Sequence, residues 1–258
     1  AYVALARDAS AVYWNPAGLG YAYNFKFTSS AVATRLGDNG PFPAIESSHV
    51  FAAAAIPLGR FGVLGLGWKH FSNGDIEQRD NEGEILGSFD NSENALFFAY
   101  GIEIVPNRMS IGASFKVVQQ ELTHESGATA SGRGFSFGLS YRVNHVLTVG
   151  LRADDEIRME WENGHADSTA FRGIAGAALS LWDERITVVA DLEQGRDRGL
   201  KLNSGIELSF KRGSRLNGSG VRFHELALRS GLDDKFLENR PAGTDFRKES
   251  NFVYGFGL

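Results

Sequence analysis

Large apolar and polar residues alternate with a period of two along most of this chain, the pattern of strands that present one face to an apolar environment. Tyr21, Tyr23, Phe25 and Phe27 share one face, with Ala22, Asn24, Lys26 and Thr28 on the other. Leu96, Phe98, Tyr100 and Ile102 alternate with Phe97, Ala99, Gly101 and Glu103. Phe135, Phe137, Leu139 and Tyr141 alternate in the same way with Ser136, Gly138, Ser140 and Arg142. Leu200, Leu202, Ile206, Leu208 and Phe210 oppose Lys201, Asn203, Gly205, Glu207 and Ser209. The pattern predicts twelve strands, at about 21–34, 47–57, 61–73, 93–104, 109–122, 133–142, 146–158, 169–181, 186–196, 200–211, 221–231 and 250–258.

The connections between these strands differ in length by turns. Residues 58–60, 105–108, 143–145 and 182–185 make short turns, and polar loops are expected around 35–46, 74–92, 123–132, 159–168 and 232–249. Short turns at one end and long loops at the other mark an up-and-down antiparallel transmembrane β-barrel of the bacterial outer membrane. The expected orientation puts 74–92 and 232–249 outside and 105–108 and 182–185 in the periplasm. Two connections depart from the rule: 212–220 is long for a turn and 197–199 short for a loop. A soluble β-sandwich of this size would show irregular loops and Greek-key crossings rather than a uniform meander.

Composition sharpens this reading. The 258 residues include 31 Gly, 19 Phe and 7 Tyr but no Cys. Large apolar groups can then meet lipid while small ones fill the inner wall. No apolar run reaches the roughly 18–20 residues of a membrane-spanning helix. The mean hydropathy of -0.19 suits a barrel, in which half of each strand faces a polar lumen. A net charge of -5, with no clustered basic face, gives no nucleic-acid footprint. Because the first residue is Ala1 and not Met, the sequence is expected to begin inside the mature protein.

Catalytic and metal-binding patterns are missing from the sequence. His49, His70, His124, His145, His165 and His224 show no ligand spacing, and no nucleophile elbow or phosphate loop occurs. No enzyme activity and no cofactor are expected. Ser72–Asn94 carries seven acids, among them Asp80, Glu82 and Glu84, against the single base Arg79. It lacks the spacing of a calcium loop and reads as a solvated hairpin whose acids are candidate exterior contacts. Inward positions such as Lys69, Lys116, Arg142, Arg152, Asp154, Asp191 and Glu193 mix both signs, so that many can pair across strands. That argues against a wide, ion-selective aqueous pore.

The stretch Asp8-Ala9-Ser10-Ala11-Val12-Tyr13-Trp14-Asn15-Pro16-Ala17-Gly18-Leu19-Gly20 resembles the N-terminal signature of the PorV/PorQ-like outer-membrane proteins, a branch of the FadL-type hydrophobic-compound transporters. The strand pair within Leu96–Lys116 and the segment Glu225–Gly231 extend the likeness over most of the chain. The resemblance implies a barrel of fourteen strands with an N-terminal segment folded into the lumen. Residues 1–20 are therefore expected to form a plug and 21–258 the barrel, with a closing hairpin lying beyond this sequence.

Within that plug, Asp8, Asn15, Pro16, Ala17, Gly18 and Leu19 are the candidate site residues. Pro16 ends any helix started at 8–11 by fixing φ and removing a donor. Asn15 can satisfy backbone groups that burial would strand. Ala17 and Gly18 allow close approach to the wall. The motif reads equally as a gate and as a structural cap on the periplasmic end. The PorV-like resemblance implies a secretion-associated or scaffolding role, in the manner of type IX secretion, with envelope or secreted proteins as partners. The alternative is a FadL-like channel for hydrophobic small molecules, with such a ligand or a detergent in the lumen. Outer-membrane lipid is the expected surround in both.

Overall fold

The computed structural model describes residues 2–36, 45–80, 84–123, 128–162, 164–196, 198–211, 225–236 and 251–257. A helical turn, α1 (Ala11–Trp14), and a 3-10 helix (Pro16–Tyr21) precede the sheet. The strands then follow as β1 (Lys26–Leu36), β2 (Ile45–Pro57), β3 (Val63–Arg79), β4 (Ile85–Val105), β5 (Met109–Thr123) and β6 (Ala128–Arg142). Next come β7 (Leu147–Asp154), β8 (Ile157–Trp161), β9 (Ala166–Thr169) and β10 (Arg172–Leu181). The last four are β11 (Ile186–Gly195), β12 (Arg198–Lys211), β13 (Glu225–Phe236) and β14 (Asn251–Gly257).

All fourteen belong to one antiparallel sheet, in which each strand along the main path pairs with its neighbour in sequence. The exception is a break near the long-loop end. β7 and β8 both pair with β6, and β10 leads back to β7 while β9 pairs only β8. Residues 155–156 and 170–171 thus interrupt what the alternation predicts as two continuous strands. The main path has twelve members, one for each predicted strand. The fold is an up-and-down β-barrel wall, with β1 and β14 at the two ends of the path.

Three boundaries differ from the sequence expectation. The first strand begins at Lys26 and not at residue 21, because Tyr21 closes the 3-10 helix and turns inward. Most of the expected loop 74–92 is strand: β3 runs to Arg79 and β4 starts at Ile85. Strands that rise beyond the apolar layer carry polar residues on both faces, and the two-residue signal fades while the backbone ladder continues. Likewise β8 and β9 occupy much of the expected loop 159–168. The irregular connection 212–220 and the start of the strand expected at 221–231 lie outside the described residues.

The two faces separate as the alternation requires. Phe98 (51%), Phe137 (58%) and Leu151 (50%) stand exposed on the outer face, while Ser110 (0%) and Ser136 (1%) are buried inside. Inner small residues leave room for the N-terminal segment, which fills the short-turn half of the interior. Contact with the short-turn end comes from Tyr21 Oη, which bonds the carbonyls of Arg108 (3.2 Å) and Ser140 (3.1 Å).

An arginine on the lipid-facing side should cost roughly 2–4 kcal/mol. Phe137→Arg is expected to fall in that range in a refolding titration. Gln120→Arg should cost far less, because this side chain points into the lumen and already bonds Asn91 at 2.9 Å. Equal sensitivity at both positions would put the register off by one residue.

Candidate functional site

The N-terminal segment lies in backbone contact with the inner wall, and glycines make that possible. A Cβ at Gly65 would stand 2.5 Å from Val12 Cγ2 and 2.8 Å from Leu19 Cδ1. At Gly101 it would stand 2.6 Å from the Pro16 carbonyl oxygen, and at Gly150 2.7 Å from that of Val3. At Gly112 it would run into the Pro16 carbonyl and the Ala17 nitrogen, and at Gly138 into the Asn15 amide oxygen. Gly101, Gly112 and Gly138 are successive partners across β4, β5 and β6, and Gly150 and Gly176 pair across β7 and β10. The glycines therefore form a belt on which the segment sits.

Each candidate plug residue has a defined place on this seat. Asp8 Oδ1 accepts from Ser10 N (2.8 Å) and Ser10 Oγ (2.5 Å), turning the chain into α1. Asn15, fully buried, adopts an extended conformation (φ -163, ψ 105) that separates α1 from the 3-10 helix. Both its amide donors are used, to Val3 O at 2.8 Å and to Leu139 O at 3.3 Å, and its Oδ1 accepts from Ala17 N at 3.1 Å. One side chain thus joins the start of the segment, the 3-10 helix and the wall. Pro16 takes the first position of the 3-10 helix, where its missing N–H costs nothing. Ala17 O accepts from Ser110 Oγ at 2.6 Å. Gly18 packs against the Ala6 backbone. Leu19 is completely buried, worth about 1.5–3 kcal/mol on its own.

The acids at the far end of the molecule stand apart from this seat. Asp80 and Glu84 close the β3–β4 hairpin, with Asp80 N bonded to Glu84 O at 3.0 Å and Glu84 N to Asp80 Oδ1 at 2.9 Å. Glu82 lies outside the described residues. Both described acids serve the turn itself. The three named His within described segments that carry ring contacts or hydrogen bonds, His49, His70 and His165, belong to no metal-ligand group, and none exists among the described residues.

Three tethers were not legible as such in the sequence. Asp191 Oδ2 accepts from the backbone nitrogens of Tyr2 (2.6 Å) and Val3 (3.2 Å). Arg152 donates to the carbonyls of Tyr13 and Trp14 (3.0 Å), at the C-terminal end of α1. That arginine is held by Asp154 at 2.7 Å, Asp154 by Arg172 at 2.6 Å, and Arg172 reaches Glu193 at 3.4 Å. The sequence puts Arg152, Asp154, Asp191 and Glu193 in the lumen as charges able to pair across strands, and leaves Arg172 out. It misses that Asp191 and Arg152 also hold the segment. The third tether is Arg7, whose Nη2 donates to Thr148 Oγ1 at 2.6 Å.

The interior has two sides. On β2–β6 and β8 it holds an apolar cluster, with Ala53, Ala55, Phe97, Val118, Ile157 and Met159 buried against Phe51, Tyr13 and Trp161, beside the Lys69–Glu93 ion pair at 3.4 Å. Tyr13 meets Phe51, Phe97 and Trp14 edge-on, at 6.0, 5.7 and 5.0 Å. On β7 and β10–β11 the lining is the charged network. Near the turns, burial lowers the Arg7 pKa, helped by Arg142, and burial raises those of Tyr21 and Tyr23, with Glu103 adding to the latter.

No protein-family profile and no curated protein sequence matches the chain. Solved structures do. A TodX deltaS2S3 mutant monoaromatic hydrocarbon channel aligns with a TM-score of 0.59 at 13% identity, covering 96% of this chain and 84% of that one. The P. putida toluene transporter TodX aligns at 0.51 and 13% identity, covering 87% and 78%. A deltaS2 mutant of the same channel gives 0.52 at 11%, covering 88% and 85%. The chain thus shares the fold of these channels, the fold that the FadL-type resemblance implies. The PorV-like branch does not, and the expected secretion or scaffolding role is overturned, since these neighbours are named as hydrocarbon channels and transporters.

If the glycine belt seats the segment, Gly112→Val should unseat it without opening the wall. Residues 2–22 should then become cleavable by added protease while the barrel keeps its heat-modifiable mobility in a gel. Gly173→Val is the control, since a Cβ there meets nothing within 4 Å. Equal protection of the segment in both variants would contradict the seat.

Proposed function

We propose that the protein is a conduit for hydrophobic small molecules across the bacterial outer membrane. The observation that carries this reading is the apolar inner lining over β2–β6 and β8. A water-filled barrel has a polar interior, yet Phe51, Phe97, Val118, Ile157, Met159 and Trp161 gather here on the lumen side. The fold shared with hydrocarbon channels and transporters supports the same conclusion. A monoaromatic hydrocarbon, the cargo for which those neighbours are named, is a suitable first compound to test.

In this reading the apolar cluster offers such a molecule a surface on which burial out of water is favourable. The aromatic edges around Tyr13 supply its floor, on top of the seated segment. Residues 2–22 obstruct the short-turn half, so passage requires the segment to shift or the molecule to leave beside it.

Uptake of a labelled monoaromatic hydrocarbon by cells expressing the protein checks this. Phe51→Glu and Val118→Glu put a charge on the apolar lining and should each lower uptake about tenfold, equivalent to roughly 1.4 kcal/mol. Phe98→Leu, on the outer face, should leave uptake unchanged. Uptake in the two lining variants equal to that of the unaltered protein would defeat the proposal.

A further inference from the structure

The conduit reading leaves two arginines at the short-turn end unused. Arg7 lies in the N-terminal segment and Arg142 ends β6 on the wall. Both stand over the ring of Tyr21, with guanidinium carbons 5.8 and 4.0 Å from its centroid. Arg7 spends one donor on Thr148 Oγ1. Among the described residues neither arginine makes an ion pair, and the Nε of each is buried with no hydrogen-bond partner.

The carboxylates nearby do not complete the site. Glu103 is engaged by Tyr23 Oη at 2.8 Å and by Asn107 N at 3.1 Å. Glu184 attracts Arg7 only from beyond ion-pair distance and has interactions of its own. A ring face draws cations but carries no net charge. Two half-buried guanidinium groups near one ring therefore repel each other with no ion-pair partner among the described residues, whereas buried charges are ordinarily paired.

We infer that Arg7, Arg142 and Tyr21 form a phosphate-binding site at the short-turn end, with one phosphate group bridging the two guanidinium groups. The chemistry suits the residues, because the planar guanidinium fork matches phosphate oxygens two at a time. The ring of Tyr21 lies within 5.8 Å of one guanidinium carbon and 4.0 Å of the other, and Arg142 is near enough to act on the charge of Arg7. Since Arg7 belongs to the segment and Arg142 to the wall, the bound group fastens one to the other. A free phosphate and a phospholipid headgroup of the inner leaflet present the same oxygens. The site stands whether or not the lumen carries hydrocarbons.

The test uses the full chain purified in a phosphate-free neutral detergent. Inorganic phosphate, titrated at constant ionic strength against chloride, should raise the midpoint of thermal unfolding. Arg7→Gln and Arg142→Gln should each abolish the rise, and Arg142→Lys, which keeps the charge but loses the fork, should weaken phosphate at least tenfold. In parallel, native mass spectrometry counts phospholipid retained after detergent exchange, which the two Gln variants should lose. A response to phosphate alone makes the ligand a free oxyanion, and a response in lipid retention alone makes it a headgroup. Should the variants fold poorly, phenylglyoxal labelling of the unaltered chain decides: phosphate or phospholipid must slow modification of Arg142 and not of exposed Arg158. No phosphate shift, equal lipid retention and no protection of Arg142 would together overturn the site.

Discussion

Everything inside this barrel depends on how closely a stretch of backbone can approach the wall. A strand residue with any side chain holds a second chain off by at least the width of a Cβ. Along the belt from Gly65 to Gly176 that width is absent, and carbonyls of the segment lie where Cβ atoms would be. Glycine weakens a strand, having no side chain to pack and more backbone freedom to lose. Here the loss is offset by what the approach allows: complete burial of Leu19 and Val12, and bonds from Asn15 and Ser110 between segment and wall. Larger residues on the belt would strengthen each strand and expel the segment.

The belt also explains why the lumen is two-sided. The segment enters at the short turns, crosses the β4–β6 wall, and begins against β11, where Asp191 receives two of its backbone nitrogens. Its apolar residues face the apolar half of the interior. Its exposed backbone ends face the charged half, where Arg152 takes two carbonyls at the end of α1, the end at which a helix prefers a cation. Charges that look like lumen lining in the sequence therefore do local work: they supply partners for backbone groups that burial would otherwise strand.

The extent to which this was legible depends on the distance over which each signal acts. The faces of strands are local, and Phe135–Arg142 declares its outward and inward sides within eight positions. Strand ends beyond the apolar layer were not legible, since in residues 74–79 and 85–92 the few apolar residues, Ile76, Ile85, Leu86 and Phe89, keep no two-residue period while the backbones remain paired. The belt was half visible. Gly101 and Gly112 are symmetrical about the turn at 106–107, so a hairpin fold brings them together, but what would lie against them was not in the pattern. Asp191 and Arg152 are tied to the segment across 188 and 139 positions, and no local rule reaches that far.

The N-terminal signature pointed to the right fold and the wrong branch, and the site explains how both can hold. Asn15 spends its amide on backbone groups, Pro16 and Ala17 meet Gly112, Leu19 fills the space over Gly65, and Gly18 gives room to Ala6. None of these contacts involves a cargo. The motif specifies a seat, and any barrel that seats a segment on its wall needs the same residue types. Discrimination between cargo classes lies instead in the lining above the seat. There, Phe51, Val118, Ile157, Met159 and Trp161 come from three strands, β2, β5 and β8, far apart in sequence. Each reads alone as an ordinary inward apolar residue, and only register turns them into one surface.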